Sequence, residues 1–151
     1  MVIALGSDHR GHKLKSSLLQ YLQLNGHTVI DHGSDSDSTK VDYPDFAYQV
    51  GKDVQDNKAK FGILICNSGI GMSIAANRMT NIRAALCRTV DDAKAARRHT
   101  DANILVLGAE NLSSDDAIKM LDFFLTTDFE KDRHALRLEK IEKLNHRIPK
   151  A

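Results

Sequence analysis

With 151 residues, 42% of them hydrophobic, the chain is long enough to bury the core of a single domain over 1–151 without disulfide or metal staples. Its 21 basic and 20 acidic residues leave a formal net charge of +1, so composition carries no footprint of a nucleic-acid or anionic-membrane partner. Met1 to Gly6 lead into a strand pattern with neither a basic flank nor a membrane-length apolar run, and a cytoplasmic protein is expected.

Five short apolar runs, at residues 2–5, 28–30, 63–65, 83–86 and 103–107, alternate with segments long enough to be helices. That alternation predicts an α/β fold, a three-layer Rossmann-like open parallel sheet of five strands with helices on both faces. The first helix is expected over 13–24, where Leu14, Leu18, Leu19 and Leu22 form one stripe and Asn25-Gly26 supply a stop. Residues 31–43, rich in Ser, Asp and Gly, read as an exposed loop long enough to reach over a site. Pro44 opens a second helix to about residue 57, and a third starts in a glycine turn. A fourth covers 90 to about 99, a fifth runs from the capping sequence Ser113-Ser114-Asp115-Asp116 to 125, and a charged last helix spans 132–146.

The rest of the chain is organised around residues 61–77. An apolar run ends at Cys66 and passes through Asn67-Ser68-Gly69-Ile70-Gly71 into a helical pattern. Glycines at 69 and 71 permit backbone angles that let successive N–H groups converge, and the helix start behind them adds positive potential, so a negative oxygen could sit there. The same field would favour the thiolate form of Cys66. Known glycine motifs fail at named positions: Met72-Ser73 stand where a Walker loop needs Lys-Ser/Thr, Ile74 where a dinucleotide fingerprint needs glycine, and Met72 where a cysteine phosphatase needs arginine. What remains is a cysteine beside an oxyanion nest, or a buried strand cysteine before a packing turn. Cys66 and Cys87 lie outside CxxC spacing, so neither a metal knuckle nor a disulfide framework is suggested.

In an open parallel sheet, ligands sit beyond the carboxyl ends of the strands. There the chain supplies Ser7, Asp8, His9 and Arg10 after the first strand, Asp42-Tyr43 before the second helix, Cys66 to Gly71 after the third strand and Gly108-Ala109-Glu110 after the fifth. Asp8-His9 reads equally as a helix cap with a surface histidine, and Tyr43 as a packing residue. Elsewhere, His99 follows Arg97-Arg98 at a helix end that favours cations on structural grounds alone. Arg133 and Arg137 stand i, i+4, so their guanidinium groups could grip one phosphate or pair with Glu130 or Glu139.

These pieces together resemble the type B ribose-5-phosphate isomerase family, related to the galactose-6-phosphate isomerase subunits. The resemblance rests on Gly6-Ser7-Asp8-His9-Arg10-Gly11, Asp42-Tyr43-Pro44, Ile65-Cys66-Asn67-Ser68-Gly69-Ile70-Gly71, Ser73-Ile74-Ala75-Ala76-Asn77, His99, and Arg133-His134 with Arg137, in the right order along nearly the whole chain. It implies interconversion of ribose 5-phosphate and ribulose 5-phosphate through an enediolate, a step of the non-oxidative pentose phosphate pathway. By resemblance Cys66 takes the proton from C2 with Ser68 in support, Asn67, Gly69, Ile70 and Gly71 surround the developing oxyanion, and His99 moves protons to open the sugar ring. Arg133, Arg137 and His9 would hold the phosphate, Asp8 and Tyr43 the sugar hydroxyls, and no metal or other cofactor is implied.

Two positions depart from the family pattern. Thr100 stands at a substrate-binding position where the family usually carries Asn, and Glu110 stands where it often carries Arg, with Arg10 a candidate replacement. The sugar is therefore open, six-carbon phosphates included. The competing class is a non-catalytic sensor of sugar phosphates, which would need the arginines and the nest but no thiolate base. Counting along the chain adds an assembly: Cys66 follows the third strand and His99 precedes the fifth, at opposite ends of strands about 17 Å long. If both serve one sugar, the histidine comes from a second chain, giving a homodimer, able to pair into a tetramer, with helix 132–146 at the interface.

Overall fold

The computed structural model describes residues 1–144; the expected end of the last helix at His146 lies outside them. Five strands, β1 (Val2–Ser7), β2 (Thr28–Asp31), β3 (Phe61–Cys66), β4 (Ala84–Leu86) and β5 (Ile104–Gly108), alternate with helices α1 (His12–Leu24), α2 (Tyr43–Gln55), α3 (Ile70–Ala76) and α4 (Val90–Thr100). Helices α5 (Ser114–Thr126) and α6 (Asp132–Glu142) follow. The strands form one parallel sheet in the order β2-β1-β3-β5-β4. The expected α/β architecture is the observed one.

Alternation along the strands sorts the core into two layers. Ile3, Leu5, Ile63, Ile65, Leu105 and Leu107 face α1, α4 and α5, where Leu14, Leu18, Leu22, Ala93, Ala96 and Phe124 meet them. On the other face Ala4, Leu64, Cys66, Ile104 and Val106 meet Ala47, Val50 and Val54 of α2 and Met72 and Ala76 of α3. Period-two side chains on strands packed against period-3.6 stripes on helices produce this three-layer arrangement. The central strands are buried on both faces, so β1, β3 and β5 carry apolar runs without polar interruption.

Element ends shift where hydrogen bonds outweigh propensity. β1 continues to Ser7, which pairs with Ile65, and β5 to Gly108, which pairs with Cys66. β4 starts after Arg83, whose N–H donates to the Asn103 side chain at 2.8 Å; its guanidinium reaches the carbonyls of Thr100 and Asp101 and Glu142 of α6. The predicted capping sequence caps: Ser113 Oγ accepts the Asp116 N–H at 3.2 Å. The chain reverses direction across the sheet between β1 and β3, and the carboxyl ends of those two strands are where an open sheet leaves a crevice.

Candidate active site

Backbone donors and tight contacts build the carboxyl edge of the sheet. The Ile65 carbonyl accepts the Asp8 N–H at 3.2 Å, extending the β1–β3 ladder one residue beyond Ser7. The buried Asp8 carboxylate accepts the Gly11 N–H at 2.9 Å across the turn that leads into α1, whose N-cap is Gly11 itself and has no side-chain cap, so one Asp8 oxygen is held by that turn. The loop after β2 reaches over this edge as expected: the Ser34 hydroxyl donates to the Asp8 carbonyl, and the Val41 N–H donates to Nδ1 of His9 at 3.3 Å. Arg10 is exposed beside them.

Cys66 ends β3 with 4% of its surface exposed, and its Sγ accepts the Gly69 N–H at 3.2 Å. The Ser68 hydroxyl accepts the Ile70 N–H at 3.2 Å. Gly69 has φ +79°, and a Cβ there would strike Leu86 and come within 3.1 Å of the Gly108 nitrogen, so the turn requires glycine twice over. At Gly71 a Cβ would collide with the ring of Tyr43, which places the Tyr43 phenol directly over the glycine turn. Asp8, His9, Tyr43 and residues 66–71 therefore converge, as the strand ends suggested.

Sequence reasoning missed the neighbouring cavity. A space of about 330 Å³ is lined by Asn67, Ser68, Cys87, Arg88, Gly108, Glu110, Asn111 and Leu112. Glu110 turns into it, with Asn67 Nδ2 3.5 Å from its Oε2, and Arg88 brings a cation from the β4–α4 connection. The signal was Arg88's position two residues beyond the end of β4, in the connection to α4, the same kind of place inspected after the other strands. Burial, followed by the charge of Asp92, pushes the Cys87 thiol up to about 12, so Cys87 stays a neutral thiol.

The remaining expected residues gather at the amino edge. His99 and Thr100 end α4 just before β5, while Cys66 pairs with Gly108 at the far end of that strand. The Thr100 hydroxyl donates to the Ala96 carbonyl at 2.6 Å, so its proton is spent within its own helix. The His99 ring stacks on His134 of α6 at 4.5 Å between centroids, 20° from parallel, and Arg133 and Arg137 are exposed on either side of His134 in the sequence of α6. Burial, then the charges of Arg133, His99 and Arg137, hold His134 below its ordinary 6.5 against the opposing pull of Glu130. No cluster with metal-ligand spacing is visible in the sequence, yet folding brings together His99, Glu130 and His134.

Residues 3–141 match the Ribose/Galactose Isomerase family. The ribose-5-phosphate isomerase B of Clostridium thermocellum superposes with a TM-score of 0.95 at 41% identity, over 97% of this chain and 99% of that one. The ribose-5-phosphate isomerase B of Mycoplasma genitalium, solved with bound ribulose-5-phosphate, superposes with a TM-score of 0.92 at 36% identity, over 97% of each chain. A D-erythrulose-4-phosphate isomerase of Pectobacterium atrosepticum is 37% identical over 95% of each chain. Among the described residues no helix is long and apolar enough to cross a membrane.

Proposed function

The chain belongs to the ribose/galactose isomerase family and is an isomerase, and from that premise we propose that it interconverts ribose 5-phosphate and ribulose 5-phosphate with Cys66 as the base. The observation that carries this reading is Cys66 at the buried end of β3, bonded by the Gly69 N–H of a glycine turn whose Gly71 lies against Tyr43, on the strand that pairs with the one leading to Asp8 and His9. In that setting the thiolate takes the proton from C2 of the open-chain aldose and returns it to C1. The electron pair left behind moves through C1 onto O1 to give the enediolate, the O2 proton passes to O1, and reprotonation at C1 leaves the carbonyl at C2. Backbone N–H groups of residues 67–71 receive that charge, each preorganised donor contributing about 3 kcal/mol in comparable holes. Ser68 supports the thiol, and Asp8 and Tyr43 accept and donate to sugar hydroxyls.

Phosphate sugars are mostly closed rings, so a second group has to shuttle protons on the ring oxygens, a role suited to an exposed imidazole. His99 takes that role in this reading, with Arg133, Arg137 and His9 on the phosphate. Because the sheet separates Cys66 from His99, each site draws on two copies, with α6 at the interface of a two-fold dimer in the cytoplasm. Glu110 favours a second reading of the substrate. A carboxylate facing the cavity beside Ser68 repels phosphate and accepts hydroxyls, which suits a sugar of different length.

Incubation with ribose 5-phosphate, allose 6-phosphate and galactose 6-phosphate, following ketose formation, tests both readings. Fastest turnover of ribose 5-phosphate is expected. A faster six-carbon sugar moves the assignment to that substrate, and binding without turnover of any of the three makes the protein a sensor.

A further inference from the structure

Among the described residues, one donor atom from each of His99, Glu130 and His134 lies within 4.8 Å of the other two. The buried member fixes the position. His134 is 5% exposed, and among the described residues its Nε2 has no hydrogen-bond partner, so a buried imidazole nitrogen is left unsatisfied there. Glu130 stands beside it: its backbone N–H donates to the Arg98 carbonyl at 3.0 Å, and its Oε2 lies 3.9 Å from that nitrogen.

The geometry is open and closes by small rotations. Donor atoms around four-coordinate zinc stand about 3.3 Å apart, as bonds of about 2.0–2.1 Å dictate, so no pair of the trio has to close by more than about 1.5 Å. His99 and Glu130 are exposed and can turn, whereas His134 is packed. Rings stacked 20° from parallel aim their in-plane lone pairs side by side, so His99 has to rotate out of the stack to share an ion with His134.

Charge selects the kind of ion. Arg98, Arg133 and Arg137 surround the trio and repel any dication, which disfavours calcium and magnesium, bound through charge and oxygen ligands. Imidazole donors suit zinc, copper and nickel, whose bonds to nitrogen carry more of the affinity.

We propose that His99, Glu130 and His134 form an inhibitory site for a divalent transition ion, zinc above all, and that its occupancy silences the isomerase by taking His99. Silencing rests on the role given to His99 above; binding does not. Cobalt(II) is therefore titrated, as a coloured substitute for zinc, into the Cys66→Ala protein, which lacks the thiol that would compete at the carboxyl edge.

A visible band of four-coordinate cobalt is expected, saturating at one ion per chain, displaced by zinc and lost in both Glu130→Gln and His134→Ala. Circular dichroism checks that each variant is folded. Turnover of the protein with Cys66 intact should fall with zinc and return with a chelator. The Glu130→Gln enzyme, with ordinary uninhibited turnover, should need roughly tenfold more zinc or beyond. Absence of the band, or a band untouched by both substitutions, overturns the site. A band lost in Glu130→Gln while zinc leaves turnover unchanged overturns the silencing. If no sugar is turned over at all, the functional reading fails and the cobalt result alone decides the metal site.

Discussion

The two ends of the sheet are built by different means. At the carboxyl edge, main chain and tight packing place each group: the Gly69 N–H on Cys66, the Gly11 N–H on Asp8, the Val41 N–H on His9, and Tyr43 over Gly71. At the amino edge side chains do the work, with His99 stacked on His134 between two helices and Arg133 and Arg137 exposed to solvent. A surface built from backbone suits charge that develops in a transition state, because the donors need not move. One built from exposed side chains suits a substrate that has to enter, be gripped and leave.

The largest expected effect falls on the rigid edge. Cys66→Ala should lower kcat by about 10³-fold, the scale of a lost general base, while calorimetric affinity for ribose 5-phosphate stays within a few-fold. Substantial residual turnover would hand the base to another residue and dissolve the contrast. Next comes the link between edges. Cys66→Ala and His99→Ala, each crippled alone, should recover about half of the ordinary activity when co-expressed and purified as a doubly tagged hybrid, since one of two shared sites is intact. A hybrid no better than its parents would put both residues at work within one chain.

Contiguity explains how unequally the two edges could be read from sequence. Cys66 to Gly71 and Asp8 to Gly11 each lie within one turn, and their spacing encodes their geometry; a strand followed by small residues was enough to find them. The order of the strands was not legible, because β5 slips between β3 and β4 through pairing that no local pattern specifies. His134 escaped for the same reason, since its burial depends on α6 lying against α4. Arg88 and Glu110 share a cavity only through the β4–β5 pairing, so the charge at 110 was visible but its neighbour was not.

Smaller effects sharpen the comparison at the amino edge. Arg133→Ala and Arg137→Ala should each raise KM for the phosphate sugar by about tenfold and leave kcat nearly unchanged, as loss of one charge-assisted hydrogen bond requires. Equal losses in kcat would move the arginines into the chemical step. The smallest effect concerns His134. Its value is lowered in the fold, so the folded chain binds fewer protons than the unfolded one as pH falls from the ordinary 6.5 toward that lowered value. Stability should therefore drop with acidification through that window and be independent of this group well above it. Thermal midpoints between pH 7 and 5 should fall more steeply than those of a His134→Gln variant; parallel curves would mean that His134 titrates as it does in water.

The Arg83 guanidinium, bonded at once to the Thr100 and Asp101 carbonyls and to Glu142, fastens the outer end of α6, while the ring stack of His134 on His99 fastens its inner end. These two fastenings respond oppositely to ionic strength. Added salt screens the partly exposed Arg83–Glu142 pair but leaves the stacking of His99 on the buried His134 ring intact or strengthens it. The helix would then peel from its far end inward, and amide hydrogen exchange in concentrated salt would quicken around Glu142 before it reached His134.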